Sequence, residues 1–150
     1  MTPVSESTDH TGFWMRMVSN AVSQSFARKV ETEGVTVAEW AFMRALYDMD
    51  PMPPSVLANR MGMTKGAISK LADRLLAKGL IARTESAADK RVHNLGLTRE
   101  GNAKVPVLAS LADENDAEFF SVLTKEEHER LDLILKALAE RRGLKTTPVD

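Results

Sequence analysis

A chain of 150 residues is long enough to bury a core of its own, about two-thirds of the surface its unfolded form exposes, and with no cysteine it has neither disulfides nor thiol-based peroxide sensing. No apolar run approaches the roughly 18–20 residues that span a bilayer, and residues 1–12 are polar, unlike a signal peptide, so the expected location is the cytoplasm with no membrane partner. The formal net charge of −1 hides an asymmetry: residues 60–91 hold eight Lys or Arg against three Asp or Glu, a local +5, and the remainder holds twelve against eighteen, or −6.

A helical period of about 3.6 residues dominates the chain. Over residues 13–33, Trp14, Met17, Val18, Ala21, Val22, Phe26 and Val30 form one apolar stripe, and Gly34 ends the helix they predict. Trp40, Met43, Leu46 and Tyr47 mark a second helix over 37–47. Three prolines and two aspartates make 48–54 a loop. Pro54 suits the first turn of a short third helix over 54–61, with Val56, Leu57 and Met61 inward, and Gly62 closes it. Only Met63 and Thr64 precede the fourth helix, which Thr64 caps and which runs to about Lys78. Its core side is Ile68, Leu71, Leu75 and Leu76; its other side shows Lys65, Gly66, Ser69, Lys70, Asp73 and Arg74. Residues 80–85 and 92–97 read as two strands joined by a polar turn. Thr98 caps a long helix that begins near Arg99, and Pro106 inside it predicts a kink. Thr124-Lys125-Glu126-Glu127 is a capping box that opens a last helix through about Arg142. Leu131, Ile134, Leu135 and Leu138 line one side of that helix.

Two short helices joined by a tight turn, the second basic on its outer face, are a helix-turn-helix pattern. A major groove admits one α-helix, and small or polar residues in its first turns let it approach base edges. Lys65, Gly66, Ala67, Ser69 and Lys70 meet that requirement, and the unpaired N–H groups of the helix start favour a phosphate. The hairpin that follows has the position of a wing. Its tip, Ala87-Ala88-Asp89-Lys90-Arg91, offers two basic residues on a turn of small ones, suited to a narrow minor groove. Taken singly, the helix also fits a solvated face and the tip a solvated turn.

The order and spacing of several short runs resemble the MarR family of transcriptional regulators. They are Trp40 with Met43 and Leu46; Leu57-Ala58; and the run from Ala67-Ile68-Ser69-Lys70 through Leu71-Ala72-Asp73-Arg74-Leu75. Next come Lys78-Gly79-Leu80-Ile81 with Arg83, then Asp89-Lys90-Arg91, then Leu97-Thr98-Arg99-Glu100-Gly101. The resemblance implies a mainly α fold with a small β-hairpin wing, that is, a winged helix-turn-helix flanked by N- and C-terminal dimerisation helices. It assigns residues 1–34 to an arm and dimerisation helix, 35–98 to the DNA-binding lobe and 99–150 to dimerisation helices, all within one structural domain. It implies a homodimeric regulator, a repressor that a small aromatic or phenolic effector releases from a pseudo-palindromic double-stranded operator. DNA-contacting positions carried over are Thr64, Lys65, Gly66, Ala67, Ser69, Lys70, Arg74, Asp89, Lys90 and Arg91. Arg91 takes the minor-groove role and Asp89 braces the wing, while Arg83 pairs with Asp73 or Asp89. Trp14, Met17 and Arg44 are the candidate effector-binding residues, with plain core the competing role for Trp14, Met17 and Trp40. Two departures are Gly66, where relatives carry a larger side chain, and Pro53-Pro54 in place of the usual cap.

Other chemistries find little footing. His10, His93 and His128 lie far apart, so a zinc site requires the fold to gather them with carboxylates. Nucleophile elbow, phosphate-binding glycine loop and dinucleotide fingerprint are all missing, so no catalytic residue and no cofactor is expected. The competing function is a winged helix that binds other proteins without touching DNA.

Overall fold

The computed structural model describes residues 2–91, 93–145 and 147–149. A 3-10 turn at Ser7–Asp9 precedes six α-helices and a hairpin: α1 (Thr11–Glu31), α2 (Val37–Leu46), α3 (Pro54–Met61), α4 (Lys65–Ala77), β1 (Ile81–Glu85), β2 (His93–Leu97), α5 (Arg99–Phe120) and α6 (Lys125–Arg141). The caps form as the sequence expects. The Thr64, Thr98 and Thr124 hydroxyls accept from the Ala67, Gly101 and Glu127 amides, each satisfying an orphan donor of a first turn. Gly62 adopts φ 63°, the left-handed conformation that ends α3 where a Cβ is disfavoured. α5 stays continuous through Pro106.

The core fills from the middle of the chain. Phe42, Met43, Leu57, Met61, Ile68, Leu75 and Leu95 are fully buried, and Val30 from α1 with Val105 and Leu108 from α5 close it. Val56 was expected inward but is exposed: α3 has only two turns, and Leu57, Ala58 and Met61 occupy its inner face. β1 and β2 pair antiparallel from Ile81↔Leu97 to Glu85↔His93. Val92, expected to open β2, lies outside the described residues. The proline-rich loop adds a rung that the sequence does not announce. The Met52 amide donates to the Leu95 carbonyl at 3.0 Å and the Leu95 amide to the Met52 carbonyl at 2.8 Å, which fastens β2 to the α2–α3 connection.

The run Leu97-Thr98-x-x-Gly101 has a packing reason. The Thr98 hydroxyl donates to the Gly79 carbonyl at 2.7 Å, and its amide donates to the Leu80 carbonyl at 3.1 Å. The start of α5 therefore sits directly on the turn that ends α4. A Cβ at position 101 would collide with the Leu80 carbonyl oxygen, so only glycine admits this approach.

Candidate nucleic-acid interface

α3, the Gly62-Met63-Thr64 turn and α4 bring the expected helix-turn-helix residues together. Ile68, Leu71, Ala72 and Leu75 bury one side of α4. This turns Lys65, Gly66, Ser69, Lys70, Asp73 and Arg74 outward, all exposed, with Thr64 exposed at the cap and Ala67 half-buried beside it. The first turn of α4 carries no acidic residue, so its unpaired N–H groups and the Lys65 ammonium present one positive end. A Cβ at position 66 would meet nothing within 4 Å. Glycine there is not required by the protein's own packing.

The wing stands beside this face. Ala87, Ala88, Asp89, Lys90 and Arg91 are exposed. Asp89 Oδ1 accepts from the Arg91 amide at 3.0 Å and from Arg91 Nε at 3.4 Å, while the Arg91 side chain keeps 92% of its surface open. Asp89 thus shapes the turn without covering the guanidinium. Arg83 pairs with Asp73 of α4 at 3.5 Å, choosing that partner over Asp89. The pair links the base of the wing to the recognition helix, and because both side chains are largely exposed it adds little stability.

The three residues singled out for an effector do not form one site. Arg44 lines a cavity of about 420 Å³ between α1, α2 and α5, with Trp40, Phe26, Val37 and Asn115 among its walls. Trp14 lines a separate, mostly apolar cavity of about 600 Å³ with Val18, Phe119, Leu131 and Leu135. Met17 lines neither. Nor are Trp14 and Met17 core, since each is 49% exposed. A stripe on one long helix does not say which part of it lies over the lobe. Trp40 combines both roles weighed for it, half-buried against the core and forming a cavity wall. Thr147 and Pro148 return to the same cavity.

Elsewhere, the histidines are dispersed: His10 precedes α1, His93 opens β2, and His128 stacks on Phe120 at 5.3 Å. Among the described residues no three potential metal ligands come together, and no helix is long and apolar enough to cross a membrane.

Comparison with known proteins places this geometry. The sequence profile of the MarR family matches residues 33–92, which contain α2, α3, α4, β1 and the wing tip. The HTH-type transcriptional repressor MdtR of Bacillus subtilis is 34% identical over 106 residues, covering 71% of this chain and 68% of MdtR. A probable transcriptional regulator from Pseudomonas aeruginosa superposes with a TM-score of 0.78 at 26% identity, over 89% of this chain and 99% of that one. The MepR protein of S. aureus, solved as a DNA complex, superposes with a TM-score of 0.76 at 27% identity, over 88% and 98% of the two chains. The chain belongs to the MarR family of winged-helix transcriptional regulators.

Proposed function

We propose that this regulator binds a pseudo-palindromic duplex as a homodimer, with α4 in the major groove and Arg91 of the wing in the adjacent minor groove. As a MarR-family member it is a DNA-binding transcriptional regulator and not an enzyme. The observation that carries the geometry is the outward face of α4, with Lys65, Ser69, Lys70 and Arg74 exposed beside a wing tip whose arginine is open to solvent. MepR supports it, being a similar chain solved on DNA. The protein-binding alternative gains nothing from this arrangement, because a face that binds only proteins has no need of a basic helix face beside a basic wing tip.

Dimerisation is assigned to 1–34 and 99–150, and DNA reading to 35–98. Trp14, Met15, Met17 and Val18 on α1 and Leu133, Ile134, Leu135 and Leu138 on α6 are exposed apolar residues. Covering them with a second copy sets two α4 helices about one turn of DNA apart, ~34 Å. The α1–α2–α5 cavity is the place for an effector. Trp40 offers an aromatic wall and Arg44 a cation, which suits a small aromatic acid. Because α2 belongs to the lobe and α1 to the dimerisation helices, an occupant acts on the angle between them and releases DNA, which is repressor logic. The working compartment is the cytoplasm. Selection of bound duplexes from a random pool tests the proposal. Two inverted half-sites centred 10–10.5 base pairs apart are expected, and recovery of no sequence preference overturns it.

A further inference from the structure

An ion pair whose carboxylate is buried and whose lysine is partly open to solvent ties the far end of α4 to the turn between α1 and α2. Lys78 caps the C-terminus of α4. Its Nζ donates to the Gly34 carbonyl at 2.7 Å and to Glu39 Oε1 at 2.8 Å. Glu39 lies in the first turn of α2 and is completely buried. Its Oε1 also accepts from the Thr36 amide at 2.8 Å, and its Oε2 has no hydrogen-bond partner among the described residues. Burial raises the pKa of this carboxyl, but the Lys78 hydrogen bond, the Thr36 amide and the Lys78 charge together outweigh it and hold the group below the usual carboxylate range. The Thr36 amide solvates this buried anion, but its charge is balanced by Lys78.

The same turn is held from a second direction. Lys104 of α5 donates to the Glu33 carbonyl at 2.9 Å and lies 3.5 Å from the Glu33 carboxylate. The α1–α2 turn is therefore pinned between the recognition helix and α5. The residue after Glu39 is Trp40, a wall of the effector cavity. Stability alone is a poor explanation for such a pair, since well-packed apolar residues often serve as well or better. What the buried Glu39 carboxylate does enforce is position: Lys78 stays against Gly34 and Glu39, or a buried charge is left uncompensated.

We infer that Lys78 and Glu39 are positioning residues for DNA recognition, fixing the inclination of α4 from its C-terminal end without themselves touching DNA. The inference rests on the reading of α4 as the groove-binding helix. Two other roles predict different results. Lys78, whose side chain is 39% exposed, contacts a phosphate directly in the first; in the second the pair is a structural staple only.

The experiment measures affinity for the selected duplex across salt concentrations, with thermal unfolding alongside. Lys78→Met is expected to bind about tenfold more weakly with an unchanged salt slope, because no phosphate contact is lost. Glu39→Gln keeps the Oε1 acceptor and is expected to bind within about twofold of the wild type. Lys78→Met combined with Glu39→Gln is expected to recover most of the melting temperature, since no buried charge is then unpaired, but not the affinity, since the link to Gly34 and Glu39 is still missing; recovered affinity overturns the inference. A salt slope reduced by about two for Lys78→Met, one for each protomer of the dimer, overturns the inference in favour of a phosphate contact. A lower melting temperature with affinity unchanged overturns it in favour of a staple. Should Lys78→Met fail to fold, Lys78→Arg carries the test. It keeps the charge but not the compact ammonium that fits between Gly34 and Glu39. Severalfold weaker binding at unchanged slope supports positioning, and wild-type affinity overturns it. A wild-type chain that binds no duplex at any salt overturns the reading of α4 itself, and this inference with it.

Discussion

The central lobe and the terminal helices use the same helical period, yet they treat their apolar residues in opposite ways. Around α2, α3, α4 and the hairpin, the apolar side of each element is buried, down to Leu75, Ile68 and Leu95 with almost no exposed surface. α6 buries no residue at all among the described ones, and α1, at 21 residues, buries only Val30. An amphipathic stripe thus predicts a helix but not what covers it. The lobe covers most of its own apolar faces, because its short elements are linked by tight turns, and Val30, Val105 and Leu108 complete the core from α1 and α5. The terminal helices leave much of their stripes exposed in the single chain, which is why assembly is proposed for them and recognition for the lobe.

The contrast breaks most sharply under apolar substitution. Leu75→Ala removes a fully buried side chain and should cost about 2–5 kcal/mol of stability. Ile134→Asp alters a residue that is 52% exposed in the single chain. It should barely disturb the lobe, yet shift the dimer–monomer equilibrium strongly in analytical ultracentrifugation. A wild-type chain that sediments as a well-folded monomer would erase the distinction between the two regions.

How much of this was legible in the sequence divides along the same line. Local devices were readable: the Gly62 stop, the Thr64, Thr98 and Thr124 caps and the hairpin all depend on neighbours within a few residues, and the structure forms each of them. Contacts made over long distances were not. Met52 joins β2 from inside a segment whose prolines signal only a loop. Glu39 carries only a local signal, Thr36-x-x-Glu39, a capping box that marks the start of α2. Its burial under Lys78, 39 residues away, has no local signature. The split of Trp14, Met17 and Arg44 over two cavities and open surface has the same cause, since pockets arise where distant elements meet.

Glu39 also sharpens the comparison through pH. Its folded pKa lies below the ordinary carboxylate value, so its stabilising contribution is fully present above the unfolded pKa of about 4.3. That contribution is lost as pH falls through the lower folded value, because the unfolded chain takes up the proton first. Glu39→Gln should flatten this part of the acid-unfolding curve, and identical curves for the two proteins contradict it. No comparable dependence is expected from exposed Glu127 of α6, whose hydrogen bonds to Thr124 also lower its pKa but are open to solvent.

Smaller effects separate bracing from bare charge on the wing. Asp89 bears the wrong sign for phosphate, so its use lies in holding the Arg91 turn. Asp89→Ala should weaken operator binding by about 1 kcal/mol, the value of one local hydrogen bond, whereas simple electrostatics predicts tighter binding. The sign of the change in a single titration decides. Gly66→Ala is smaller still. With open space around the missing Cβ, alanine should stabilise the free lobe by about 0.5–1 kcal/mol. If the α4 backbone approaches the bases at this point, the more stable variant binds DNA no better, and weaker binding shows that the added methyl meets the groove.

The proposed reader of duplex DNA is the basic face of α4 with the wing, carried in duplicate by a dimer. The most direct measurement is the affinity of the full chain for its selected duplex as a function of salt. If the dimer neutralises roughly 6–10 phosphates, affinity should fall about 10³- to 10⁵-fold between 50 and 200 mM salt. An affinity indifferent to salt would contradict the claim, because a surface that binds a polyanion through lysine and arginine must release counterions when it does so.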